Sequence, residues 1–419
     1  MPLSGFRDYL TPAGHFFVRT HVYVPKVELA DWRLQVAGEV SSPLTLSMEE
    51  LKKFPSVELV SVLECAGNGR TFYEPPVPGA QWSYGAVGNA NWRGVRLADV
   101  LKRAGIKGSA TEVLFDGADV PLGTMADFQR TITVAKALDP NTLLAWDMNG
   151  APLNEKHGFP LRVIAPGWAS DSWTKWLTSI RVLDKEFDGF WMVNAYRHPG
   201  KPVQPGSAVP AAAMRPVTSL HVKSVISSPI DGTAVELGKP LSIEGVAWSG
   251  DRGPVTAVDV SVNGGRTWQP AKLVSPETPF GWRQWQFAWT PRNEQYYSVM
   301  ARARDKSGDV QPFVEEWNPS GYQWNVVQAI GVNAMEHPAA APPKPALPML
   351  AVTQIAPPAR FRNVCLTCHD EDVIRQQRLT RAQWSRELDK MMSWGAPAKP
   401  EDREAILNYL VNSYGPRPR

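Results

Sequence analysis

The 419-residue chain predicts a multidomain protein. An α+β domain covers residues 1–215, an immunoglobulin-like β-sandwich covers 216–332, and a small all-α domain covers 359–419. Three observations carry this division. Strand-like and helical segments mix with scattered Gly and Pro through the first half. From HVKSVISSP (221–229) the texture changes to short strands and polar turns at regular spacing. A linker over 333–358 then holds seven prolines between 336 and 358 and precedes a segment with helical periodicity.

Taken in order, WRLQVAGEV (32–40) and SVELVSVLE (56–64) alternate or run apolar as strands do. LADVLKRAG (97–105) has helical spacing and stops at Gly105, a residue suited to the C-cap. FFVRTH (16–21) predicts a short strand that turns Arg19 and His21 to one face. AQWSYGAVGNANWRG (80–94) is rich in Gly and Trp, and HGFPLRVIAPGW (157–168) runs into SDSWTKWL (170–177). FWMVNAYRHPG (190–200) places Tyr196 and Arg197 in a loop before Pro199. In the sandwich, Asn263-Gly264 between VDVSV and RTW predicts a type I′ hairpin, which needs positive φ at both centres. The linker is a semi-extended tether with a reach of about 70 Å.

Composition excludes several functions. Charged residues are 20% and the net charge is +3, so there is no nucleic-acid footprint. No apolar run of about 18 residues exists, so no transmembrane helix is expected. MPLSGFRDYLTPAG has neither a basic n-region nor an apolar core, so no leader is visible in the sequence as it stands. The 17 Trp fit either packing around a large planar cofactor or plain β structure. Three cysteines read as one lone thiol and one paired motif rather than a disulfide framework.

The lone thiol is Cys65, in SVLECAGNGR (61–70). It ends an apolar run and stands before a Gly-Asn-Gly turn, with Arg70 nearby. Such a cysteine is either a presented ligand or a small buried hydrophobe. Arg19, Arg70, Arg162 and Arg197, with Lys175 and two histidines, could build an anion site, because a guanidinium donates two parallel hydrogen bonds to an oxyanion. Taken singly, each also reads as an ordinary solvated or packed side chain. The paired motif is Cys365-Leu366-Thr367-Cys368-His369, and C-x-x-C-H is the attachment site of c-type haem. Cys365 and Cys368 would hold the macrocycle and His369 would bind its iron. A zinc site would need a second cysteine pair, which the chain lacks. Met391 and Met392, at the end of a helical stretch, are candidates for the sixth iron ligand or else core filler. PEDREAILNYLVNSYG (400–415) reads as a terminal helix with Ile406, Tyr409 and Leu410 on one face.

The order FVRTH, ECAGNGR, HGFPLR, WTKWL and AYR resembles the molybdopterin domain of the sulfite oxidase family. The resemblance implies a molybdenum–molybdopterin cofactor with Cys65 as the thiolate ligand of the metal, a soft donor suited to it. It implies an oxyanion pocket of Arg19, Arg70 and Tyr196. It assigns Phe17, Val18, Arg19, Thr20, His21, Asp116, His157, Arg162, Trp173, Thr174 and Lys175 to the pterin and its phosphate. The sandwich resembles the family's dimerisation domain and implies a homodimer. Animal members carry WNLRG where this chain has WNPSG (317–321), so Ser320 stands in place of an arginine of the substrate pocket. The last 60 or so residues resemble the small cytochrome subunit paired with bacterial sulfite dehydrogenases, with Met391 as the iron ligand ahead of Met392. Together these imply oxidation of sulfite to sulfate, with electrons passing through haem c to an external cytochrome c. Two alternatives stand beside it: a dehydrogenase of sulfane sulfur, or an electron-transfer module with an idle molybdenum domain. Haem c is attached outside the bacterial cytoplasm, so a periplasmic location is expected.

Overall fold

The computed structural model describes residues 1–338, 357–367, 371–375 and 377–416. In the first half, one sheet runs in the order Leu44–Leu46, Leu34–Gly38, Leu177–Leu183, Glu112–Gly117, Arg130–Thr133. A second runs Ser56–Glu64, Val87–Arg96, Leu143–Met148, Ala151–Pro152, with Arg162–Ile164 also paired to Leu143–Met148. Alternation makes the first sheet: Leu34 and Val36 are buried while Gln35 and Ala37 are exposed. Ser56–Glu64 changes character along its length. Its last four residues are all buried, so both faces are covered where the strand reaches Cys65. Leu97–Ala104 is the expected helix, burying Leu97, Val100, Leu101 and Ala104 on one stripe. Gly105, at φ 69, closes it by donating its N–H to the Leu101 and Lys102 carbonyls.

Two local expectations change here. Residues 16–21 form no strand and join no sheet, with bends at Phe16 and His21. Rings pin them instead of ladder bonds: Phe16 packs edge-on to Trp92 and His157, and Phe17 to Trp82. The alternation survives, with Arg19 Nη2 3.3 Å from His21 Nδ1. The stretch after Tyr196 is not a loop. Arg197–Pro199 pairs antiparallel with Met214–Pro216.

The following sandwich packs Lys223–Ser228, Leu241–Trp248, Arg283–Trp289 and Lys272–Leu273 against Thr233–Glu236, Gln328–Met335, Gln295–Asp305, Val255–Ser261 and Gln269–Pro270. Its core includes Ile243, Trp285, Val299 and Val332. The turn after Val255–Ser261 departs from type I′. Positive φ falls on Gly264 and Gly265, and Asn263 instead caps the turn, its Oδ1 accepting from Thr267 N–H at 3.0 Å.

The C-terminal part contains helices Ala359–Cys365, Glu371–Arg375, Arg381–Ser393 and Pro400–Tyr414 around Phe361, Trp384, Leu388, Ile406 and Leu410. Tyr409 joins this core through Phe361, their rings 4.6 Å apart. Cys368 and His369 lie outside the described residues. No described helix is long and apolar enough to cross a membrane.

Candidate active site

Cys65 follows the strand Ser56–Glu64 directly, and the residue before it fixes its position. Glu64 is buried, 2.5 Å from Lys223 Nζ and 2.7 Å from Trp248 Nε1, both on the sandwich. It also accepts from Asn68 Nδ2 at 2.8 Å, while Asn68 Oδ1 accepts from Ala86 N–H. Cys65 N–H in turn donates to Ala86 O at 2.9 Å. The turn that carries the thiol is thereby tied to the neighbouring strand of its own sheet and to the next domain.

Cys65 opens on two connected spaces. The first is a cavity of about 430 Å³ that it shares with Arg19, Arg70, Tyr196, Ser320 and Tyr322. Arg70 is buried in a glycine cradle: a Cβ on Gly67 or Gly79 would lie 2.7 Å from its guanidinium, and one on Gly321 2.9 Å from its Cγ. Its guanidinium donates to Ala80 O and Ser320 O at 3.1 and 3.2 Å and lies 5.0 Å over the Tyr322 ring. Arg19 donates to Thr20 O and to His21. Among the described residues neither arginine has a carboxylate partner. Two uncompensated guanidinium groups facing one cavity make an anion site.

Tyr196 stands at φ 51, a backbone region costly for a non-glycine residue. Its ring is held by stacking on Tyr322 at 5.5 Å and by Arg130 at 5.4 Å. Its hydroxyl lies 2.7 Å from His21 Nε2. Burial, then Arg19, pushes the His21 pKa well down, so this imidazole is neutral. Arg19 can only donate, which makes Nδ1 the acceptor and puts the ring proton on Nε2. Nε2–H therefore donates to the Tyr196 oxygen, and the phenol proton is left to point elsewhere. Burial drives the Tyr196 pKa up, so that proton stays in place.

The second space is a cleft lined by Phe16 to His21, His157, Arg162, Trp173 and Lys175, with Lys156 and Asp119 added. Arg162 is buried, pushed down to about 9 by desolvation, and bonded only to the His157 and Trp173 carbonyls; its Nε has no partner. Burial lowers Lys175 well below the usual lysine range. Burial, then Arg162, lowers His157 to about 4. Among the described residues Arg162 is a buried cation with no carboxylate partner, and such a group calls for an anion from elsewhere. The donor set fits a phosphate-bearing pterin, and the thiol at the cleft's edge fits a soft metal.

Three sequence expectations move. Asp116 does not line the cleft; it accepts from Gln129 Nε2 at 3.0 Å. Asp119, three residues on, does line it, and burial pushes that carboxyl up to about 7. Arg197 leaves the anion set, its guanidinium bound to the Met192 and Met214 carbonyls outside both spaces. Thr174 is buried behind the cleft, with its Oγ1 unpartnered. Sequence reasoning missed Tyr322, Lys156 and Asp119. The only signal for Tyr322 is its place just after WNPSG.

The larger cavity extends to the C-terminal helices. Cys365 and Met391 line it, among Val364, Ile374, Leu388 and Leu410. Met392, the next residue, packs into the helical core and does not line the cavity. An apolar wall bearing a thiol and a thioether fits the haem that the C-x-x-C-H motif implies.

Residues 21–191 match the oxidoreductase molybdopterin binding domain, and residues 214–334 match the Mo-co oxidoreductase dimerisation domain. The chain is 37% identical over 343 residues to rat mitochondrial sulfite oxidase, covering 78% of this chain but only 62% of the rat protein's length. It is 36% identical to chicken sulfite oxidase over 75% of this chain and 71% of that one. Among solved structures, the sulfane dehydrogenase SoxCD of Paracoccus pantotrophus superposes with a TM-score of 0.69 at 29% identity, covering 80% of this chain and 83% of that one. The chain belongs to the sulfite oxidase family of molybdopterin oxidoreductases.

Proposed function

We propose that the chain oxidises sulfite to sulfate and passes the electrons through its own haem c to an external cytochrome c, as a periplasmic homodimer. One observation carries this reading: Cys65, Arg19, Arg70 and Tyr196 share a single cavity, and that cavity also receives Cys365 and Met391. When bound, the molybdenum cofactor supplies an oxygen-transfer centre that accepts two electrons. The chain's residues do the rest. Arg19 and Arg70 bind and orient the anion. Tyr196 offers its phenol proton to the reacting oxygen, its orientation set by His21 and Arg19. Burial raises the Cys65 pKa, so the thiolate that serves as ligand is formed only by coordination.

Phe17 to His21, His157, Arg162, Trp173 and Lys175 would hold the pterin and its phosphate, with Asp119 in place of Asp116. Cys365, Cys368 and His369 would carry the haem, with Met391 preferred over Met392 as its further ligand. The sandwich would form the dimer contact. Haem c attachment favours the periplasm.

Metal analysis and a pyridine haemochrome spectrum of purified protein are expected to give one molybdenum and one haem c per chain. Steady-state assay with sulfite and ferricytochrome c is expected to show turnover, and none above background overturns the sulfite reading. A second reading, oxidation of sulfane sulfur, is favoured by Ser320. That position contributes a backbone carbonyl to Arg70 where animal relatives place a further arginine. The similarity to SoxCD supports it also. If this second reading holds, a sulfane-sulfur substrate turns over and sulfite does not.

A further inference from the structure

The C-terminal helices touch the molybdopterin domain at Thr124. Thr124 N–H donates to Trp394 O at 3.0 Å, and Thr124 Oγ1 donates to Ser393 O at 2.8 Å. These are the final carbonyls of the helix Arg381–Ser393, which a helix end leaves without intrahelical partners. The first domain therefore caps a helix of the last one. The fit demands glycine. Gly123 stands at φ 56, and a Cβ there would lie 2.2 Å from Trp394 O. A Cβ on Gly395, at φ 97, would lie 3.3 Å from the Gly123 Cα.

The same contact seats a ring. Trp394 packs edge-on against Phe190 at 6.3 Å, Phe190 against Trp191 at 5.0 Å, and Trp191 against His21 at 4.3 Å. His21 is the group bonded to Tyr196 and Arg19. At the other end, Trp394 N–H donates to Met391 O at 3.2 Å, so one helix turn both presents Met391 to the cavity and delivers Trp394 to Phe190. Phe190, 38% exposed, is otherwise an unprotected ring on the first domain.

We infer that the Gly123–Thr124 cap and Trp394 form the docking contact that couples the helical unit to the molybdenum site, with Phe190, Trp191 and His21 as the connected path between them. This rests on the two-centre reading above. Electrons alone would pass along the path, one at a time, from the molybdenum site that takes two from the substrate as it is oxidised, to the haem and then to the external acceptor; no bond would form or break within it. Trp394 is a positioning residue.

Two measurements on the full chain test this. In amide hydrogen exchange, which needs no cofactor, the peptide covering 122–126 is protected in the parent chain. Gly123→Val removes both capping hydrogen bonds and lowers that protection, each bond accounting for roughly two- to tenfold. Unchanged exchange overturns the contact. In anaerobic stopped-flow mixing with sulfite, haem reduction slows in Trp394→Ala and Gly123→Val and recovers in Trp394→Phe. Oxidation linked to ferricyanide, which can draw electrons from the molybdenum site directly, stays unchanged. Haem reduction as fast in Trp394→Ala as in the parent, with full cofactor content, overturns the coupling role alone. A parent chain that lacks molybdenum or haem overturns the two-centre reading and leaves the docking contact to the exchange result.

Discussion

The floor and the roof of the active-site cavity are built differently. Cys65 on the floor is held by a buried ion pair, Glu64–Lys223, an indole hydrogen bond from Trp248, and the side chain of Asn68. The helical unit forming the roof is held by two hydrogen bonds to helix-end carbonyls and one ring edge. Breaking one partner of a buried pair leaves a bare charge, whereas helix-end carbonyls released from Thr124 simply meet water. The floor is anchored through buried charge and the roof through a helix-end cap. On the reading proposed above, a thiol that would hold a metal through every cycle and a unit that would deliver electrons outward have opposite mechanical needs.

Four changes test this contrast, from the largest effect to the smallest. Cys65→Ser should abolish oxidation to below detection while leaving the thermal melting curve nearly intact; unchanged turnover would mean that the molybdenum domain is idle. Glu64→Gln should cost about 3–5 kcal/mol in urea unfolding, because Lys223 stays buried and charged. Adding Lys223→Met should restore most of that loss, and a change below about 1 kcal/mol for the single variant would mean the floor is looser than its contacts indicate. Gly67→Ala pushes on the Arg70 guanidinium and should raise KM about tenfold, or ~1.4 kcal/mol, with a smaller change in kcat. An unaltered KM would leave Arg19 as the main anion anchor.

A further effect is on pH dependence, in the cofactor-free chain. His157 has its pKa lowered to about 4, so its contribution to stability is present above 6.5 and lost as pH falls toward 4. Asp119 has the opposite sign. Raised to about 7, its contribution is present below 3.8 and lost as pH rises through 7. Melting temperature followed from pH 4 to 8 should lose its acid-side slope in His157→Gln and its neutral-side slope in Asp119→Asn. Parallel curves would show that neither group titrates inside the cleft.

What the sequence disclosed divides along similar lines. Ser56–Glu64, Leu97–Ala104 and the sandwich were legible because local periodicity and burial agree there. Cys65 was legible because an apolar run must end where a Gly-Asn-Gly turn begins. The misplacements all depend on contacts distant in sequence. Asp116 and Asp119 sit in one short stretch, FDGAD, and only the packing of Trp176 and Lys175 against it decides which carboxylate faces the cleft. Arg197 lost its place to a pairing with Met214–Pro216. Residues 16–21 alternate like a strand but find rings rather than a partner strand. Met391 and Met392 are chemically identical, and only helix phase distinguishes the cavity from the core.

Residues well past the molybdopterin domain complete its site. Ser320 supplies a carbonyl to Arg70, Tyr322 supplies the plane on which Tyr196 and Arg70 rest, Gly321 leaves room for the Arg70 side chain, and Lys223 neutralises the neighbour of Cys65. The region that matches the dimerisation domain is thus also a wall of the reaction chamber. A fragment ending near residue 215 would retain the thiol and both arginines yet expose a bare Glu64 and an uncradled guanidinium. The smallest piece of this chain able to present a finished anion pocket extends at least to Tyr322, and heat that melts the sandwich should extinguish catalysis in the same transition.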